Sequence, residues 1–422
     1  MSRLDPFKEF PQAMGAAAVI FLALFPGAAI SHFHRTAVSV IAPDLMAEIG
    51  LSHQEYGTMA SGMFFGIALA QIPTGILLDR FGARITIPLM QILAVAGTVM
   101  FAAADSLTDL FIARFLIGVG FGSTFMGGLV VASRWFPRDR FALVTALFLG
   151  GSSGIGNLLA ATPMAALTGW IGWRWAFAWV AVVTLVVALF TYLVVRDAPP
   201  DHPYHSRRPE TLSAAWKGIG PLLKTPRLPY IIALAMVGYP TLVAILGTWG
   251  GPYLHDVHGL DGIARGNVLS GMSVAVVIGL LFFGPLDRYF DTRKRVVIWG
   301  ATLAAVVLAV LAMAPGLGLW QVTVLFALYG LLGSFYVTNF AFARSLFPDH
   351  MVGRGITIVN FGNFIGVALA QVMTSLIVGY FATGDGGAPE LAYRLVFAYL
   401  AAAMVLALLF YARVRDSRPS ED

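Results

Sequence analysis

Apolar stretches of about twenty residues or more recur from one end of the chain to the other, each long enough to cross the hydrocarbon of a bilayer. Lipid offers the backbone no hydrogen-bond partners, so only helices or closed barrels can span it, and runs this continuously apolar read as helices. Twelve spans lie at about 13–42, 52–78, 84–106, 108–134, 141–169, 173–195, 229–254, 262–286, 295–315, 319–345, 354–382 and 391–412. The composition agrees, with 58% hydrophobic and only 12% charged residues, against about 25% charged in soluble domains. No polar block is large enough to be a soluble domain. The opening "MSRLDPFKEFPQ" lacks a short apolar core followed by a small-residue cleavage site, so the first run reads as a retained helix. Cysteine is absent, which excludes disulfides and thiol chemistry.

The basic residues orient the spans. With the N-terminus inside, 22 of the 27 Lys and Arg fall in cytoplasmic segments. The outer loops receive Arg174, Arg265 and Arg394, and the membrane holds Arg35 and Arg114. A bias of 22 to 3 predicts both termini in the cytoplasm of an inner membrane. The net charge of +5 therefore reports topology, and no nucleic-acid partner is expected.

The longest polar segment, 196–227, includes "RDAPPDHPYHSRRPE" and reads as a linker between residues 1–195 and 228–422, six spans each. The halves resemble each other. "GILLDRFGAR" follows span 2 and "GPLDRYFDTRKR" follows span 8, so that 287 − 79 = 208 residues separate Asp79 from Asp287. "RWFPRDR" follows span 4 and "RSLFPDHMVGR" follows span 10, with 344 − 134 = 210 between Arg134 and Arg344. Two loop motifs at nearly one offset mark an internal duplication, in which a ligand site is expected between the halves near the midplane. In the first loop Gly75 and Gly82 permit a tight turn and close helix approach. Asp79, flanked by Arg80 and Arg84, is placed to accept from a helix N-terminus or to pair with Arg138, as a gate that latches the halves; Asp287 and Arg288 are its counterparts.

All 22 acidic residues fall in loops or at span ends. The ionisable side chains at depth, tyrosine apart, are His32, His34, Arg35 and Arg114. At about 100° per residue, His32, Arg35, Thr36 and Ser39 share one face of the first helix and His34 points nearly opposite. A charge at this depth costs several kcal/mol and is usually retained for function. Arg35 stays charged at any relevant pH and has no internal carboxylate, so an anionic ligand is its simplest partner, with Arg114 a second candidate. His32 or His34 could carry a proton, since an unperturbed imidazole titrates near 6.5. A proton and an anion held side by side favour each other, the minimum for moving together. Alternatively both histidines only hydrogen-bond to neighbouring helices. Candidate walls are Ser153 and Asn157, Tyr239 and Trp249, Tyr336 and Asn339, and Asn360, Asn363 and Gln371, although such groups are more often interhelical glue. The C-terminal half has no Lys or Arg at depth, so a monoanion is expected rather than a symmetrically clamped di-anion.

Gly75, Asp79, Arg80, Gly82 and Arg84 reproduce the loop signature G-x-x-x-D-R-x-G-x-R, and Arg114, Gly118 and Gly120 resemble R-x-x-x-G-x-G. On these motifs the chain is identified as a member of the major facilitator superfamily over its whole length. Around "HRTAVSVIAPDLMAEIGLSHQEYG" it resembles the anion:cation symporter branch, which includes sialin-like organic-anion carriers. There an Asp-Arg pair commonly sits on the first helix, with Arg on the substrate carboxylate; here the pair is His34-Arg35. Phe121 stands where several relatives carry an acidic coupling residue. The resemblance implies an all-α membrane protein of twelve transmembrane helices in two six-helix halves. It further implies a monomeric secondary transporter that moves a small organic anion with protons by alternating access and needs no cofactor or metal. An exporter of amphipathic compounds and a non-translocating receptor or scaffold are the alternatives. No P-loop, metal-ligand spacing or nucleophile with its base points to an enzyme.

Overall fold

The computed structural model describes residues 6–136, 138–202, 220, 225–347, 352–382 and 387–421. Most of the linker expected at 196–227, and the side chain of Arg138, lie outside the described residues. Within them the chain is helical: α1 (Pro6–Ile49), α2 (His53–Phe81), α3 (Ala83–Ala102), α4 (Leu107–Phe121), α5 (Thr124–Trp135), α6 (Arg138–Ala160) and α7 (Thr162–Val194). The second half holds α8 (Leu228–Val243), a π-helical turn (Ala244–Trp249), α9 (Gly250–Asp256), α10 (Gly262–Tyr289) and α11 (Arg293–Met313). It ends with α12 (Leu319–Gly333), α13 (Tyr336–Ser345), α14 (Val352–Phe381) and α15 (Glu390–Tyr411). By length and apolarity ten described helices can cross a membrane, or eleven with the bent pair His53–Gln71 and Pro73–Phe81 counted as one span. One of these, Leu147–Val194, has 48 residues, twice the length of a crossing, and breaks at Gly172 with φ 78°. Split there, the count is twelve, and the chain ends at the face of the bundle where it began.

Two backbone features recur at about the spacing of the loop motifs. Span 4 breaks into α4 and α5 at Gly122-Ser123, and span 10 into α12 and α13 after Gly333-Ser334. The serines are 334 − 123 = 211 residues apart, and Gly/Ser pairs are a common cause of such kinks. The loops repeat a cap as well. Asp197 Oδ1 accepts from the backbone N–H of Ala83 and of Arg84, at 2.5 and 3.1 Å, closing the start of α3. Asp416 accepts from the N–H of Lys294 at 2.9 Å and from the Thr292 hydroxyl at 2.5 Å, closing the start of α11. Each aspartate ends a Val-Arg-Asp sequence that follows the last span of its half.

At α3 the N-terminal carboxylate is that of Asp197. The Gly82 turn, with φ 77°, presents the first amides of α3 to the chain leaving span 6. Asp79, Arg80 and Phe81 are exposed at the end of α2, Gly75 is half-buried in the helix, and Arg84 stacks on Tyr192 with 5.3 Å to the ring centroid. In the second loop Asp287 is buried and pairs with Arg293 at 3.4 Å, while Arg288 is exposed.

The halves meet along three seams: α2 against α14, α1 against the π-turn and α9, and α6 and α7 against α10. These seams place the middle of α1 between the halves. Outward-facing Leu185, Val186, Leu189 and Phe190 are exposed, as a lipid-facing surface requires.

Candidate functional site

Arg35 sits near the middle of that α1 seam, 8% exposed. Its Nη1 donates to the Tyr239 hydroxyl at 3.2 Å and its Nη2 to the Ser31 hydroxyl at 3.3 Å. The guanidinium lies over the Phe364 ring, 5.1 Å from its centroid, a cation–π contact that softens burial without neutralising the charge. Its Nε has no partner, and no carboxylate pairs with it, among the described residues.

The local fold explains how the surroundings reach it. Gly156 on α6 lets α1 approach, since a Cβ there would meet the His32 Cβ at 2.8 Å. Thr36 then donates to Asn157 at 3.4 Å, tying α1 to α6. On the other side Gly247, within the π-turn, faces the Arg35 carbonyl, which an added Cβ would meet at 2.7 Å. A π-turn widens the helix by one residue, and such bulges gather at functional sites. Here it sits next to Tyr239 and Pro240 on α8, and Tyr239 packs on Tyr336 with ring centroids 5.2 Å apart.

A cavity of about 20 Å³ lies between the halves, room for about one water. His32, Arg35, Thr36, Ser153 and Asn157 line it from the N-terminal half. Tyr239, Leu242, Val243, Leu246, Val276 and Tyr336 line it from the C-terminal half. The structure thus brings together six of the expected site residues: His32, Arg35, Asn157, Tyr239 and Tyr336, with Ser153 beside them.

The remaining candidates lie elsewhere. His34 is fully buried inside the N-terminal half, on the opposite side of α1, among the rings of Phe33, Phe121 and Phe177 at 5.4–5.9 Å. Arg114 is buried there too, donating to the His34 carbonyl at 2.6 Å, with Nε and Nη2 unpartnered among the described residues. Trp249 donates to the Thr374 hydroxyl at 2.7 Å, Asn339 to the Ile231 carbonyl at 3.2 Å and Asn360 to Gln71 at 3.2 Å. Asn363 is 4% exposed and does not line the cavity. In hydrocarbon a polar side chain gains by bonding a neighbouring helix, and Trp249, Asn339 and Asn360 do so.

One cluster has no forerunner in the sequence reading. At the face of the bundle away from the termini, His53 Nε2 lies 3.0 Å from Asp256 Oδ2, joining α2 to α9 across 203 residues. The same carboxylate accepts from the Tyr393 hydroxyl at 2.6 Å, the Ala388 amide at 3.0 Å and, on its other oxygen, His255 at 2.8 Å. Nearby, Arg265 donates to the Val40 carbonyl at 3.2 Å, Ser39 accepts from Gly251 N–H at 3.0 Å, and Tyr56 donates to the Thr248 carbonyl at 3.0 Å. The bonds of His53, Arg265, Ser39 and Tyr56 join the two halves and close this face. Neither partner of the His53–Asp256 pair has a periodicity or spacing signal that could have revealed it.

Comparison with known proteins bears on the whole chain. The sequence model of the Major Facilitator Superfamily matches residues 24–276 and 252–422. A putative tartrate transporter of Agrobacterium vitis is 30% identical over 305 residues, 68% of this chain and 67% of the relative. A probable galactarate/D-glucarate transporter of Bacillus subtilis is 23% identical over 430 residues, 93% of this chain and 90% of the relative. Among solved structures, a D-xylose–proton symporter superposes with a TM-score of 0.74 at 16% identity, over 94% of this chain and 97% of that one. Motifs, twelve crossings and matches that run the length of both halves agree: the chain belongs to the Major Facilitator Superfamily and is a multi-pass membrane transporter.

Proposed function

We propose that this transporter imports a small organic anion, a monocarboxylate, together with protons, across a bacterial-type inner membrane by alternating access, with both termini in the cytoplasm. The observation that carries the reading is Arg35. It is a buried cation between the halves with an unpartnered Nε and no carboxylate partner among the described residues, beside a small cavity that would have to widen to admit an anion. A buried charge of this kind is costly until it is paired, and a ligand carboxylate accepts from a guanidinium in bidentate geometry. The names of the tartrate and galactarate/D-glucarate relatives support an organic acid. His32, half-buried on the same face, is the proposed proton carrier; His34, on the far side of α1, is not. The two halves, residues 1–195 and 228–422, rock about the linker 196–227. With the basic residues placing the terminal face in the cytoplasm, the sealed face is the outer one, and Asp79, Arg80 and Arg84 gate the inner one.

The test is uptake by reconstituted proteoliposomes offered labelled monocarboxylates, dicarboxylates and lipophilic cations, with and without an inward proton gradient. The expected result is gradient-driven accumulation of a monocarboxylate and none of the cations. Accumulation of the lipophilic cations alone would replace the anion reading with an exporter.

A further inference from the structure

We infer that the substrate's body, beyond its carboxylate, is apolar: a compact hydrocarbon or aromatic monocarboxylate rather than a polyhydroxylated sugar acid. The inference rests on the reading of Arg35 as the anion site and concerns what the rest of the cavity accepts.

The two walls are chemically unlike. The N-terminal wall is polar, offering His32, Arg35, Thr36, Ser153 and Asn157. The facing wall presents Leu242, Val243, Leu246 and Val276. Its hydroxyls, among the described residues, are those of Tyr239 and Tyr336, and Tyr239 already accepts from Arg35. Several polar side chains of the C-terminal half that could have matched a sugar donate to neighbouring helices instead. Asn339, Asn360 and Trp249 bond as described above, Gln371 donates to Thr248 at 2.8 Å, and Tyr329 donates to Thr241 at 2.6 Å. Phe364 covers the guanidinium itself and stacks on Phe64 with centroids 6.5 Å apart.

A polyhydroxylated acid anchored at Arg35 would therefore lay several hydroxyls against methyl groups and ring edges. Each hydroxyl that leaves water without a partner costs on the order of tenfold in affinity. A hydrocarbon or aromatic body instead loses nothing and removes its own apolar surface from water. The carboxylate would face α1 and α6, and the body would face α8, the π-turn and α10. This separates the chain from what the names of its tartrate and galactarate/D-glucarate relatives describe.

The experiment is a binding isotherm on the purified full-length protein in lipid nanodiscs, with phenylacetate, isovalerate, D-glucuronate and tartrate as probes. Phenylacetate or isovalerate should bind at least about tenfold more tightly than either hydroxylated acid. Leu246→Gln, which adds an amide to the apolar wall, should narrow that ratio severalfold, and Leu246→Ala, which adds none, should not. Arg35→Gln should abolish binding of all four. Binding of D-glucuronate or tartrate as tight as that of the apolar acids, lost in Arg35→Gln, would overturn the apolar-body inference and leave the anion site standing. No carboxylate binding, or binding unchanged in Arg35→Gln, would overturn the anion site and the inference with it.

Discussion

The proposed chemistry centres on one guanidinium. Placing an arginine at the centre of a span costs about 2.5–3.5 kcal/mol on insertion scales, and Arg35 recovers part of this from two hydroxyls and one ring. Its polar stripe was legible in the sequence, because a 100° step puts His32, Arg35 and Thr36 on one face whatever that face meets. The same step separates His34, which the structure buries among phenylalanines with Arg114 bonded to its carbonyl. Periodicity names a face but not its neighbour, so the sequence could not show that Asn339, Asn360 and Trp249 each bond another helix. The two histidines should accordingly behave differently. His32→Gln keeps a hydrogen-bonding side chain and removes titration near neutral pH. Accumulation on an inward proton gradient should fall to the level without a gradient, while exchange of labelled for unlabelled substrate persists. His34→Gln should leave gradient-driven accumulation in place and lower thermal stability instead, since it disturbs a packed aromatic box. Accumulation by the His32→Gln, His34→Gln double variant would remove histidine from the coupling.

At the scale of elements the duplication was readable where it is written in loops. Asp79 and Asp287, and Arg134 and Arg344, announce it, and the kinks at Ser123 and Ser334 extend it into the membrane. The partners of those loops were not readable. A carboxylate that caps α3 from 113 residues away leaves no local pattern. Asp197→Asn and Asp416→Asn each keep the shape and lose the charge at a helix N-terminus. Each should cost about 0.5–2 kcal/mol, as cap losses do, read as a lower melting temperature of the detergent-solubilised protein. An unchanged melting temperature in both would mean that the caps contribute nothing. The π-turn was likewise hidden, since nothing in "AILGTW" distinguishes it from an α-helical turn. Its Gly247 has a specific task, allowing α8 and α9 to continue past the Arg35 carbonyl. Gly247→Val should therefore push the halves apart at the site and reduce transport at least about tenfold, with Gly247→Ala intermediate.

For the whole molecule, the decisive arrangement is asymmetric: bonded shut at the face away from the termini, with a cavity too small for substrate at the centre. Alternating access requires that seal to break and the walls around Arg35 to part. His53–Asp256 is a buried side-chain contact within it, with side chains 4% and 6% exposed. Losing the buried carboxylate, which accepts from His53, Tyr393, His255 and the Ala388 amide, weakens the contact and leaves its donors less well matched. Asp256→Asn should thus raise labelling of an engineered Val40→Cys by a membrane-impermeant maleimide severalfold, a clean readout in a chain with no cysteine of its own. Equal labelling with and without Asp256→Asn would count against the pair as a latch. Everything else in the account depends on a carboxylate meeting Arg35 when the seal opens. The most direct test is counterflow of a labelled monocarboxylate in proteoliposomes containing wild type, Arg35→Lys or Arg35→Gln at matched protein density. Arg35→Gln should lose counterflow by at least about a hundredfold, and Arg35→Lys should keep a small fraction because a point charge replaces the bidentate fork. Counterflow at the wild-type rate by the Arg35→Gln protein would contradict the account.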